Sequence, residues 1–492
     1  MDRAARCSPM GLLTLCVVFS WACGDTTGTG GGGGGGSFFK IDSTRPSSGS
    51  TGISETGTIV VYFNHALSIG TIDTSTLQLH AAGAAVPHGL MYDPITHAVS
   101  ITAPLTPSAT FTVTVTSGLR DSSGDSLKQA ATVPVTTRSW SPQAIQTNSS
   151  VISNTSLVIR TDGSADVAFW DATNQDLKYA RCSAPCTGTS TWLVASVDTV
   201  GDVGFSPVLA IDHGGRLNIS YLDNTNSDLK FATCTGPCSS MQDWQRVTVD
   251  SVGHVGVGTL AAGPDNRLHI VYEHFGSSLL KYATCDTGCA TISSWRDTVI
   301  ATSVVGVEAS AAVDGGGRLH VTYRNTNNGG LDAALKYATC ATGCLAPGNW
   351  QTTTVDSSSG GGTGYYSAIA LGAFGSLHVA YYDLAHDDLR YGTCASSCTS
   401  TPNWSFVRVD TIGSTGDFPA LVVAPNGRVH IGYHSFAAAG VKYASCLASC
   451  ASASAWFTHF AATSDPAILS IGLDVAGHAH LLIGSSHLTF LY

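Results

Sequence analysis

One pattern recurs six times along the chain: an aromatic residue, two positions, Cys, three positions, Cys, five positions, Trp. It stands as Tyr179/Cys182/Cys186/Trp192, Phe231/Cys234/Cys238/Trp244, Tyr282/Cys285/Cys289/Trp295, Tyr337/Cys340/Cys344/Trp350, Tyr391/Cys394/Cys398/Trp404 and Tyr443/Cys446/Cys450/Trp456. The first cysteines are 52, 51, 55, 54 and 52 residues apart, and each unit holds four strand-like runs, which is the arithmetic of a β-propeller blade. In one unit the runs are 207–211 (strand a), 216–221 (b), 228–232 (c) and 244–249 (d).

The two ends of the repeat set the number of blades. After the sixth pattern, residues 468–473, 480–483 and 488–491 repeat strands a, b and c, and the chain stops without a Cys pair or Trp. The fourth strand is expected from the other end, where residues 140–147 read as an orphan strand d. Trp140 precedes Asp166 by the same 26 residues that separate Trp192 from Asn218. The expected fold is therefore all-β, with a seven-bladed propeller over 139–492 closed by an N-terminal strand, an arrangement that leaves no open sheet edge. This architecture resembles, at the level of fold alone, the Asp-box and sialidase-like propellers. Their Ser-x-Asp, Gly and Trp signature belongs in the c–d turn, which the Cys pair occupies here, so no sialidase chemistry is carried onto this chain.

Residues 1–22 read as an export signal, with Arg3 and Arg6 ahead of an apolar stretch, 11–22, too short to span a membrane as a helix. The stretch ends in Ser20, Trp21, Ala22, Cys23 and Gly24, which resembles the bacterial lipoprotein box, although Ser20 stands where that box carries a Leu-like residue. The resemblance implies acylation of Cys23, with ordinary signal cleavage nearby as the alternative. Residues 23–37, rich in Gly and Thr, then form a flexible tether. The implied location is the outer membrane or surface of a Gram-negative cell, with a lipid anchor as the sole membrane contact.

From 38 to 138 short alternating runs (TIVVYF at 58–63, FTVTVT at 111–116) are separated by Gly, Ser, Asp and Pro, the signature of a β-sandwich. VYFN at 61–64, MYDP at 91–94, GLRD at 118–121, Gly124, Leu127 and VPVTT at 133–137 resemble the SbsA-type bacterial Ig-like domains. The resemblance implies a spacer or surface module without catalysis.

Cys7, Cys16 and Cys23 lie in the signal region, and the other twelve of the fifteen cysteines fall in the six pairs. In an exported chain these read as disulfides, Cys182–Cys186, Cys234–Cys238, Cys285–Cys289, Cys340–Cys344, Cys394–Cys398 and Cys446–Cys450, each clipping a c–d turn. A thiolate metal site would need two pairs to meet, and one pair per blade keeps them apart. Strand b carries His269, His320, His378, His430 and His480, with Asp166 and Asn218 in the equivalent places of the first two blades. A residue repeated around a ring serves something every blade needs, so these read as structural hydrogen-bonding groups, as do Lys178, Lys230, Lys281, Lys336, Arg390 and Lys442, and Arg216, Arg267, Arg318 and Arg428.

Function is sought where repetition breaks. Tyr323 and Tyr337 are 14 residues apart, longer than the same b–c interval elsewhere, and Trp350 precedes His378 by 28 residues against 24 to 26 elsewhere. Both irregular loops are expected on one face above blades 4 and 5, and Asn325, Asn327, Asn328, Asp332, Tyr365 and Tyr366 form the candidate ligand patch, suited to a sugar or peptide. Asp198, Asp250, Asp356, Asp410, Asp171, Asp223 and Asp383 should line the same face; turn chemistry accounts for them, with Ca2+ binding as an alternative.

A net charge of -11, with 23 Lys and Arg against 34 Asp and Glu, argues against nucleic acid. Only three Glu occur, Glu55, Glu273 and Glu308, and no zinc-protease or phosphate-loop motif, so no catalytic, cofactor or metal set is assigned; Glu308 is the acid to mutate first. The expectation is a non-catalytic, surface-anchored module recognising a glycan or protein. An envelope-interaction protein without a small ligand and a glycan-cleaving hydrolase or lyase are the alternatives, and oligomeric state is open.

Overall fold

The computed structural model describes residues 38–55, 57–146, 155–184, 186, 190–302, 305–327, 332–357, 362–464 and 468–491. The signal, the tether, Cys23 and Asn328 lie outside them. Two four-stranded sheets come first. One orders strands Ile41–Arg45, Ile59–Phe63, Ala98–Thr102 and Gly89–Asp93; the other orders Ala84–Ala85, Leu77–Ala81, Thr110–Val115 and Ala131–Thr136. Alternation puts Ile59, Val61, Phe63, Leu77, Leu79, Phe111, Val113, Val133 and Val135 in one core between them, an Ig-like sandwich.

Seven four-stranded antiparallel sheets follow, one per blade. Blades 1 to 6 take their strands in chain order. Blade 4, for example, pairs Val305–Val313, Leu319–Asn327, Asp332–Cys340 and Gln351–Ser357. Blade 7 orders Ile468–Leu473, Ala479–Gly484, Leu488–Leu491 and then Pro142–Gln146, so its outer strand comes from the N-terminal side of the propeller, as the spacing of Trp140 predicted.

Neighbouring blades meet through one repeated contact. The Trp that opens strand d stands edge-on to the strand-c aromatic of the preceding blade: Tyr179–Trp244 at 5.3 Å, Phe231–Trp295 at 5.0 Å, Tyr282–Trp350 at 5.4 Å, Tyr337–Trp404 at 5.7 Å and Tyr391–Trp456 at 4.8 Å. Tyr443–Trp140 at 5.9 Å and Phe490–Trp192 at 5.3 Å extend the series from blade 6 to 7 and from blade 7 to 1. Each such pair contributes about 1 kcal/mol beyond area burial. The inner strands of blades 7 and 1 are also joined, Leu157 N donating to Ser470 Oγ at 3.0 Å, as Leu209 N does to Ser156 Oγ between blades 1 and 2.

All six Cys pairs are disulfides with Cα atoms 5.6 to 5.9 Å apart. In blades 3 to 6 the carbonyl of the second Cys accepts the indole N–H of the same blade's Trp at 2.8 Å (Trp295, Trp350, Trp404, Trp456), so the clip also orients the ring.

The sandwich is docked on blades 6 and 7. Arg428 is buried, and its guanidinium donates to three sandwich carbonyls, Glu55 O at 2.9 Å, Leu105 O at 3.1 Å and Ala103 O at 2.8 Å. Arg138 grips the Glu55 carboxylate through Nε and Nη2 and also donates to Ala479 O at 2.8 Å. Phe457 packs on Phe111 in the sandwich core. Arg428 thus has a role distinct from Arg216 and Arg267, whose guanidinium groups are near Asp212 and Asp265 at the surface.

Candidate functional site

The repeated polar residues are occupied in holding the blades. His269 and His320 place Nδ1 at 2.7 Å from the hydroxyls of Tyr282 and Tyr337; His378 and His430 meet Tyr391 and Tyr443 in the same way, and Asp166 accepts from Tyr179. In blade 2 the strand-c aromatic is Phe231, which has no hydroxyl, and there the strand-b residue is Asn218, bonded instead to Thr233 Oγ1 at 3.0 Å. In blade 7 it is Phe490, and His480 stacks on its ring. Burial pushes His269 and His378 down to about 4 and His430 to about 3, so these rings are neutral at ordinary pH.

The strand-d aspartates tie blades together at four boundaries. Asp198 Oδ2 accepts from Tyr221 at 2.7 Å and Lys230 at 2.5 Å, Asp250 Oδ2 from Tyr272 at 2.8 Å and Lys281 at 2.6 Å. Asp356 takes Tyr381 and Arg390, and Asp410 takes Tyr433 and Lys442. Burial alone would raise Asp198 and Asp250, but these bonds outweigh it and hold both carboxyls below the usual range. The blade 3 counterpart is Ala301, so this tie is missing between blades 3 and 4.

Two positions per blade escape the repetition. The sixth residue of strand b is Trp170, Leu222, Glu273, Arg324, Tyr382, His434 and Gly484 in successive blades, a different residue each time, while the residue before it is aromatic in blades 1 to 6. Opposite it, the inner strands of blades 2 to 6 bulge. Phe205 faces Leu222, Val307 faces Arg324, Tyr365 faces Tyr382 and Asp417 faces His434. In these four blades the next residue of the inner strand is left-handed, Ser206 (φ 48°), Glu308 (φ 64°), Tyr366 (φ 53°) and Phe418 (φ 47°). A bulge that recurs is scaffold, and it re-aims whichever side chain stands on it. Glycines two positions earlier permit the approach: at Gly416 (φ 105°) a Cβ would lie 2.5 Å from Leu389 Cα.

Over blades 3 to 6 these positions gather polar and aromatic groups. Glu308 Oε2 accepts the Tyr366 N–H at 2.6 Å across the blade 4–5 boundary. Arg324 Nη2 donates to Tyr365 Oη at 2.5 Å, and its guanidinium lies 3.5 Å from that ring's centroid. The Tyr366 ring lies 4.0 Å from that of Phe418 in blade 6, tilted by 39°. Glu273 is fully buried, and neither of its carboxylate oxygens has a hydrogen-bond partner; Arg324 Nε and Asn325 Oδ1 are likewise buried and unmatched. Burial pushes Glu273 up to about 7, the nearby Glu308 carboxylate adding to the rise. Glu308 also reaches about 7 by burial, Tyr366 N–H and Arg324 opposing and Asp417 reinforcing it; burial takes Asp417 to about 6.

The candidate patch read from the loops overlaps this cluster. Tyr365 and Tyr366 belong to it. The blade 4 insertion, expected as a loop, instead lengthens paired strands, Asn325 facing Ala334, Thr326 facing Ala333 and Asn327 facing Asp332. Sequence reasoning passed over Glu273, Arg324, Asp417 and Phe418; aligning the units and asking which column varies would have found them. A groove of about 790 Å³ elsewhere, between the sandwich and blade 6, is lined by Thr74, Gln78, His88 and Trp456, but both His88 ring nitrogens already lie 2.8 Å from carbonyl oxygens.

Comparison with known proteins matches the bacterial Ig-like domain family over residues 38–141. Ig-like domains of this kind and disulfides typify extracellular and surface proteins. No curated protein matches the chain. Among solved structures, a protein of unknown function from Dyadobacter fermentans shares 14% identity over 60% of this chain and 93% of its own, with a TM-score of 0.43. The alpha-L-arabinanase of Penicillium chrysogenum shares 12% over 60% and 93%, at 0.44, and the Hadza microbial sialidase Hz136 shares 12% over 90% and 97%, at 0.39.

Proposed function

We propose that this chain is an exported, lipid-anchored surface protein whose propeller binds a glycan at the inner ends of blades 3 to 6. The observation that carries the reading is the juxtaposition of Tyr365, Tyr366 and Phe418 with Arg324, Glu308 and Asp417, aromatic rings interleaved with charged and hydrogen-bonding groups, of which Arg324 Nε is unmatched. Sugars present alternating C–H faces and hydroxyl edges, and this combination answers both. Cys23 would carry the anchor and residues 23–37 the tether. A glycan array with the full chain tests it: Tyr366→Ala is expected to lower retention of the bound glycan about tenfold, the loss of one good stacking contact, and unchanged retention refutes the assignment of the site.

A second reading, glycan cleavage, is favoured by Glu273 and Glu308, two acids raised to about 7 and so able to hold and return a proton near neutral pH. Analysis of the same glycans for cleavage products decides it, with Glu308→Gln expected to abolish any products found.

A further inference from the structure

The cluster contains more buried negative charge than it can neutralise. Glu308 feels one guanidinium, that of Arg324, which is already committed to the Tyr365 hydroxyl and ring. Glu308 receives one N–H, from Tyr366. Glu273 receives none on either oxygen, though it is fully buried and close enough to Glu308 to feel its charge. At four other blade boundaries a strand-d Asp is matched by a Tyr hydroxyl and a Lys or Arg, whereas the Glu273 carboxylate has no such partners. A buried carboxylate without partners is costly unless a positive charge is brought to it. An ammonium brings that charge together with three N–H donors, which the two carboxyl groups lack. The Tyr366 and Phe418 rings, 4.0 Å apart and tilted by 39°, add faces suited to a cation or to the sugar bearing it.

We infer that the site selects glycans bearing a free amino group, its ammonium seated between Glu273 and Glu308 of blades 3 and 4. This inference rests on the glycan reading above and names the sugar class. Because the two acids hold a proton in the empty site near pH 7, seating an ammonium drives that proton out to solvent. Asp417, His434 and Arg324 face the same space and set the background against which it leaves.

The test uses the full chain and three oligosaccharides of equal length: a glucosamine oligomer, its fully N-acetylated form and an uncharged glucose oligomer. Calorimetry at pH 7 in two buffers of different ionisation enthalpy reads affinity and proton release together. The glucosamine oligomer is expected to bind at least about tenfold more tightly than the other two, as a desolvated charge pair warrants, and to release protons. Glu273→Gln, nearly isosteric, is expected to remove both the preference and the release, with Glu308→Gln as a second variant should the first fold poorly. Equal binding of all three oligomers overturns the inference and leaves the glycan reading standing. Binding of none overturns both. A preference that survives in both Gln variants is bulk attraction of a polycation to a chain of net charge -11, and also overturns the inference.

Discussion

At the scale of single residues, the same chemical group does opposite things according to what surrounds it. Asp198 and Asp250 are buried against Lys and Tyr donors and keep their charge; Glu273 and Glu308 are buried with few donors and give it up near neutral pH. The sign of the pH dependence follows. Carboxyls raised in the folded chain stabilise it fully below their unfolded values, near 4.5, and that contribution is lost as pH rises through about 7. Thermal melting from pH 5 to pH 8 is therefore expected to show a decline that Glu273→Gln reduces, by roughly 1 to 3 kcal/mol at pH 8. The depressed aspartates act in the acid range, their contribution being lost as pH falls below the usual carboxylate value. Arg428 makes a separate case, because removing it orphans three sandwich carbonyls at once. Arg428→Ala is expected to cost about 2 to 4 kcal/mol in a denaturant titration.

At the scale of the element, the blade is one design cast seven times, and its features are separable. The c–d clip closes a loop of a few residues and contributes about 2 kcal/mol per bridge in the chain-entropy account. Full reduction is accordingly expected to lower the melting temperature, and the indole bonds to Cys289, Cys344, Cys398 and Cys450 carbonyls should loosen with it. The inner-strand bulge depends on its glycine: Gly416→Ala would force both a left-handed alanine and a backbone collision with Leu389, an expected loss of about 2 kcal/mol or more in the same titration. Much of this element was legible in the sequence. The invariant spacing fixed the clips, the Trp and the strand order, because those features must be identical for identical blades to pack. The strand-b histidines were legible too, as groups that recur around the ring, and they meet the strand-c tyrosines in blades 3 to 6. The site was legible only in part. Tyr365 and Tyr366 announced themselves through altered spacing, whereas Glu273, Arg324, Asp417 and Phe418 replace one residue by another without changing any length, which a search for insertions does not register.

At the scale of the whole molecule, the sandwich and propeller share buried groups. Residues 139–492 expressed alone would expose Phe457 and leave Arg428 without acceptors, so this fragment is expected to melt below the full chain or to aggregate, as differential scanning calorimetry would show. A domain boundary near 138 is a boundary in topology; energetically the contacts run across it. The strand Pro142–Gln146 bears on the same point, because blade 7 is completed only when the first part of the propeller to be made meets the last. Trp140→Ala removes the Tyr443 contact at that seam and is expected to accelerate unfolding more than the equivalent change at Trp404, in stopped-flow unfolding kinetics.

The sixth position of strand b behaves as a row of sockets in an otherwise fixed frame. Since the backbone there is set by the bulge and by the paired strands on either side, exchanging one occupant leaves strand order and register in place. A chain built this way can change what it recognises in single substitutions, one blade at a time, and a library randomised at positions 273, 324, 382 and 434 would sample new specificities on a frame already folded.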